Sequence, residues 1–144
     1  MNDTNTIRVI SLGHRIPERV KKQIETKLNT TNIAFIDLPF VLIMGRDLAA
    51  QITALLFPII KENSDMPLLI MPGVSVAAAL VTVIMYGWFG AFPPVVELKK
   101  DRDRPWLWNL KEIHQLDDLR HHCRRHGRTD LMSEKPPNRA IIGV

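Results

Sequence analysis

A chain of 144 residues, 46% apolar and 24% charged, has material for one globular core and little for two. That balance excludes wholesale disorder, and the lone cysteine, Cys123, excludes an internal disulfide and points to a reducing, cytoplasmic setting. The formal charge of +4 gathers at the two ends, because residues 66–96 carry none; four prolines and three glycines cut that window too short for a membrane helix.

Ile7–Leu12 is a short β-rich run that gives way to Gly13-His14-Arg15. Pro17 stands where a helix can begin, since its missing N–H costs nothing in a first turn. Val20, Ile24 and Leu28 recur at i, i+4 and i+8 between charged residues, which predicts an amphipathic helix with one wet face. Ile33–Leu38 is a second strand, closed by Pro39. Asp47 can cap a helix through Leu48, Ile52, Leu55 and Leu56 to about Ile60, which Pro58 should kink or shorten. Residues 68–71 are wholly apolar, as strands covered on both faces of a parallel sheet are. An apolar helix follows over residues 74–86 and ends in a glycine-rich turn. Residues 94–98 and 106–110 read as the last two strands, and Leu116, Leu119 and Cys123 give a final helix one apolar face. Residues 1–128 thus form a single domain and 129–144 a mobile C-terminal tail. The order β-α-β-α-β-α-β-β-α predicts an α/β, Rossmann-like three-layer sandwich with a mainly parallel central sheet.

Open sheets of this class bind ligands outside the carboxyl ends of their strands. That rule selects residues 11–15, 39–46, 71–75 and 89–94. In the first loop, beside Ser11, Gly13 lets a ligand approach the backbone while His14 and Arg15 can meet negative charge. Gly45 and Arg46 open the second helix, where Arg46 can contact a phosphate or pair with its surroundings. Met71, Pro72, Gly73 and Ser75 lie at a helix N-terminus, whose free N–H groups and dipole favour an anion. Ser75 can offer its hydroxyl or cap the helix, the commoner task of such a serine. Neither a Walker Gly-Lys-Ser/Thr nor a G-x-G-x-x-G motif is present, so nucleotide hydrolysis of the P-loop kind and hydride transfer lose support. The edge is nearly free of acids, which leaves paired-carboxylate catalysis without candidates.

His114, His121, His122, Cys123 and His126 crowd the last helix. His122 and His126 share a face as zinc ligands can, but no second ligand cluster accompanies them, and the group reads as a basic solvated face. No metal site and no cofactor are expected. Arg120, Arg124, Arg125 and Arg128 carry the alternative reading, a nucleic-acid-binding module using this helix. Trp106 and Trp108 alternate, which places both on one side of a strand, as core or subunit-interface residues.

Several segments together resemble one family. Ile10-Ser11-Leu12-Gly13-His14 with Pro17, residues 71–79 (Met-Pro-Gly-Val-Ser-Val-Ala-Ala-Ala), residues 86–94 around Phe92, and Trp108-Asn109-Leu110-Lys111-Glu112-Ile113 are similar, in order and spacing, to the Csx fifteen family of small type III CRISPR ancillary proteins. The likeness covers about residues 7–126, with Leu12 inserted between Ser11 and Gly13 and an additional tail after Arg128. It implies a fold related to CARF domains and a cyclic oligoadenylate ligand, cyclic tetra-adenylate first. It also implies a homodimer or higher homo-oligomer, with no membrane and no linear nucleic acid as partner. The implied activity is lowering of the free second messenger by sequestration, by slow metal-independent ring cleavage, or by both. On this reading Ser11, Gly13, His14, Arg15, Gly45, Arg46, Met71, Pro72, Gly73, Ser75, Phe92 and Asn109 contact the ring, and His14 is the candidate catalytic group.

Overall fold

Strand β1 (Ile7–Leu12) is apolar on both faces because both are covered. Val9 packs on one side with Val20 and Ile24 of helix α1 (Glu18–Leu28), whereas Ile10 and Leu12 pack on the other with Ile52 and Leu56 of α2 (Leu48–Ile60). The computed structural model that shows this describes residues 6–133. Pro17 is the N-cap of α1 rather than its first residue, and Asn29, at φ 54°, closes the helix in the left-handed conformation. β2 (Ile33–Leu38) lies parallel to β1 in a register running from Ile7↔Ile33 to Leu12↔Leu38.

Asp47 caps α2 as its position predicts, its carboxylate accepting from the Ala50 amide at 3.1 Å. Pro58 does not shorten the helix. It sits in the last turn, where its ring leaves only the Ala54 carbonyl without a helical donor, and α2 continues to Ile60. Arg8, a buried cation on β1, donates to the carbonyls of Ile59, Asn63 and Asp65 at 2.9–3.0 Å and so pins the loop after α2 to the sheet. Burial pushes this guanidinium below its ordinary pKa, while Asp65 and Glu62 oppose the shift.

β3 (Leu68–Ile70) pairs parallel with β1. Helix α3 (Ser75–Phe89) runs three residues past the expected end. Met85 anchors it in the core, Trp88 meets Phe57 of α2 edge-on at 5.8 Å, and Gly90 ends it at φ 70°. β4 (Val95–Lys100) continues the parallel sheet through Leu69↔Val95, and β5 (Trp108–His114) returns antiparallel. β5 starts two residues later than the expected strand and extends four residues beyond it. The Asp101 carboxylate accepts the Asp103 and Arg104 amides, and the Leu107 amide bonds the Arg104 carbonyl, so Pro105 and Trp106 belong to the turn. Trp106 and Trp108 therefore do not share a strand face.

Residues 116–133 are helical throughout: α4 (Leu116–His122), a π-helical turn (Cys123–Gly127) and α5 (Arg128–Ser133). No residue of α4 or the π turn is fully buried: of the expected apolar face Leu116 is half-buried, Leu119 and Cys123 are exposed, and Asp117 ties α4 to the Phe92 amide. The tail expected from residue 129 begins as helix α5, and its remainder lies outside the described residues. The sheet order is β2-β1-β3-β4-β5, four parallel strands with an antiparallel edge. The α/β expectation holds, with α1 on one face and α2 and α3 on the other, an arrangement compatible with a Rossmann-like fold. Among the described residues no helix is long and apolar enough to cross a membrane.

Candidate functional site

In the order β2-β1-β3-β4-β5, successive strands leave β1 in opposite directions, and the crevice between the ends of β1 and β3 is the switch point where such sheets take ligands. Two loops meet there. The first is Gly13-His14-Arg15. Gly13 adopts φ 96°, a conformation that calls for glycine, and its amide bonds the Leu38 carbonyl at 3.0 Å. The Asp37 carboxylate accepts the Ile16 amide at 3.0 Å and fixes the far end of the loop. The second loop is Met71-Pro72-Gly73, and a Cβ built on Gly73 would lie 3.8 Å from His14 Nε2. The imidazole therefore stands against the backbone that leads into α3.

A cavity of about 590 Å³ opens beneath these loops. Ser11, His14, Arg15, Ile70 and Met71 line its sheet side. The opposite wall is the β4–β5 hairpin, contributing Val96, Leu98, Glu97, Trp108 and His114. This wall exists because β3 ends at Ile70 while β4 continues to Lys100, so the hairpin overhangs the sheet edge. Ser11 is 1% exposed, and its Oγ is buried without a hydrogen-bond partner. Trp108 presents a ring with the Lys100 ammonium 5.5 Å from its centroid. Glu97 faces His114 Nε2 at 2.7 Å and Lys111 Nζ at 3.3 Å. Hydrogen bonding to His114 first, then to Lys111, holds the Glu97 carboxyl below its ordinary range.

Of the expected site residues, Ser11, His14, Arg15 and Met71 line one cavity, and Gly13 and Gly73 shape its mouth. Pro72 and Ser75 flank the mouth at the start of α3. Ser75 is the first helical residue, and the N-cap is Val74 with no side-chain cap bond, so Ser75 does not cap the helix. Gly45 and Arg46 are exposed in the neighbouring loop, Gly45 at φ 87°, and neither lines the cavity. Gln51 shapes that loop by bonding the Ile43 amide and carbonyl at 2.7 and 3.0 Å.

Two assignments change. Residues 89–94 precede β4, which is parallel to β3, so Phe92 lies at the amino edge of the sheet, away from the crevice. There its amide bonds Asp117 at 3.1 Å and its ring packs 4.6 Å from Tyr86. Asn109 is a strut between α1 and β5: its Oδ1 accepts from Arg19 Nε at 2.7 Å and Gln23 Nε2 at 3.0 Å, and its Nδ2 donates to Asp101. Glu97 and His114 were not among the expected site residues: His114, expected with the histidines of the last helix, ends β5 instead, and Glu97 places an acid in an edge expected to be nearly free of them. Their only sequence signal is a polar residue inside each of two strands, which an ordinary half-exposed sheet edge also shows.

The chain matches no protein-family model, no curated protein and no solved structure, so the reading of the site rests on its geometry and on the motif resemblance.

Proposed function

We propose that the protein binds a cyclic oligoadenylate, cyclic tetra-adenylate first, and lowers its free level by holding the ring. The observation that carries this reading is the convergence of His14, Arg15 and the Gly73 backbone over a cavity of about 590 Å³ with an aromatic wall at Trp108. Arg15 and the amides at the start of α3 suit phosphate, while Met71 and Trp108 suit the faces of a base. The size lies within the range of small-molecule sites, about 300–1,000 Å³. It fits part of a four-nucleotide ring, and a two-fold partner would hold the rest. The exposed apolar faces of α2 and α3, with Phe57, Val76 and Val83, supply a surface for such pairing. The similarity to the Csx fifteen family supports both the ligand class and a CARF-related fold. Where the ring is cut, His14 is the group placed to move a proton, with a ribose hydroxyl attacking its own phosphate.

Gel shifts and calorimetry with cyclic tri-, tetra- and hexa-adenylate test this. Wild type should bind one ring at micromolar protein or tighter. Arg15→Ala should weaken binding by about 10–100-fold, the loss of a charge-assisted hydrogen bond of about 1.5–3 kcal/mol. No binding of any ring refutes the proposal. Salt-dependent binding of linear RNA lost on neutralising Arg124 and Arg125 would favour the basic-helix reading instead. Chromatography of the ring after incubation in EDTA separates holding from cutting.

A further inference from the structure

Val96, Leu98, Leu110 and Ile113 turn one face of the β4–β5 hairpin toward α1. The other face brings together side chains that the proposed ring binding does not use. Glu97 and Glu112 stand directly opposite across the two strands, and His114 stands opposite Val95 two pairs along, on the same face. Like charges placed directly across a strand pair repel, so this pairing costs stability unless a cation lies between the carboxylates. Donor atoms of Glu97, Glu112 and His114 all fall within 4.8 Å of one another.

The geometry points to a divalent transition-metal site, of the Zn2+ type, formed by Glu97, Glu112 and His114. Two carboxylate oxygens and one imidazole nitrogen suit zinc or manganese better than magnesium or calcium, which prefer all-oxygen shells. Bonds of about 2.1 Å place tetrahedral ligands roughly 3.4 Å apart, so the three donors need to close in by little more than 1 Å at most. Glu97 and His114 side chains are 38% and 42% exposed, which leaves them free to make that shift. Lys111 occupies the β-bulge opposite Glu97 and Leu98, and its ammonium sits 3.3 Å from Glu97; it fills part of the cation's role in the metal-free chain and can swing into water.

Three protein ligands leave a position open. Glu97 and His114 also line the cavity. The open position is thus reachable from that space, where a water or an anionic ligand atom would complete the shell. Bound metal would clamp β4 to β5 and set the shape of the overhanging wall.

Metal binding is measured without nucleotide, so its outcome is separate from that of ring binding. Calorimetry of the EDTA-stripped full chain with Zn2+ should give one site per chain. Co2+ should give the visible absorption of a four-coordinate site. Glu112→Gln, a surface change whose folding is checked by circular dichroism, and His114→Ala should each weaken Zn2+ by at least about ten-fold. A His122→Ala/His126→Ala variant should bind as wild type does. No saturable binding at micromolar Zn2+, unchanged affinity in Glu112→Gln and His114→Ala, or loss confined to the His122/His126 variant would each overturn the assignment.

Discussion

Replacing Asn109 by alanine separates the role the structure assigns it from the ligand-contact role that its motif suggests. The side chain accepts two hydrogen bonds from α1, from Arg19 Nε at 2.7 Å and from Gln23 Nε2 at 3.0 Å. Net contributions of about 0.5–1.5 kcal/mol per bond give a cost of roughly 1–3 kcal/mol, with the exposed Arg19 bond toward the lower end. The part-buried bond to Asp101, the longest of the three at 3.2 Å, is left out of this sum, which is therefore a lower figure. Gln23 keeps its second contact, accepting the Leu110 amide at 2.7 Å, so α1 stays docked and the loss is partial. At about 3–4 °C per kcal/mol for a domain of this size, the melting temperature should fall by some 3–12 °C. Urea unfolding followed by circular dichroism should show a lower midpoint with an unchanged slope. Ring affinity, measured well below the transition, should move less than about three-fold, since Asn109 does not line the cavity. Unchanged stability together with a ten-fold loss of affinity would refute the reasoning and return Asn109 to the binding site.

Ser11→Ala should leave stability unchanged or slightly raised, because the Oγ has no partner to lose, yet it should weaken ring binding if the ligand satisfies that hydroxyl; paired unfolding and calorimetry decide it. Gly90→Ala should cost about 1 kcal/mol, since φ is 70° and the strain is purely backbone, whereas Gly87→Ala, inside α3 with nothing within 4 Å, should stabilise by about 0.5–1 kcal/mol; thermal melts showing the same sign for both would contradict this. Glu97, Asp101 and Asp117 are all held below their ordinary range, chiefly by hydrogen bonds from His114, from the Arg104 amide and from the Phe92 amide respectively. Depressed carboxyl groups add stability above their unfolded values near pH 4 and lose it as pH falls through the lower folded values. Urea midpoints should therefore hold from neutrality to about pH 5 and decline below about pH 4. Asp117→Asn should shallow that decline, and a profile that superimposes on wild type would count against the Phe92–Asp117 bond.

Local chemistry wrote much of the architecture into the chain. The wholly apolar run 68–71 is readable as a buried parallel strand because neither face can meet water, and Ile7–Leu12 as a strand from its β-rich composition. The spacing of Val20 and Ile24 is readable as one buried helix face, and Asp47 as a cap, because these depend on neighbours a turn away. The switch-point loops follow from element order, which is why Ser11, His14, Arg15 and Met71, now seen to line one cavity, lie in loops that the sequence selects. What depended on distance along the chain was not recognisable. The overhang of β4 beyond β3 is a matter of relative strand length, and it turns Glu97 and Trp108 into a cavity wall, which His114 joins from the end of β5. Phe92 fell on the wrong edge because α3 carries the chain back across the whole sheet before β4 begins. Asn109 and Gln23 meet across 86 residues of sequence, a contact that only the docking of α1 on β5 creates. The amino-acid sequence by itself determined which segments must be buried and which loops must face one edge. The tertiary structure decided what that edge encloses, because a cavity is bounded by residues whose proximity no local pattern encodes.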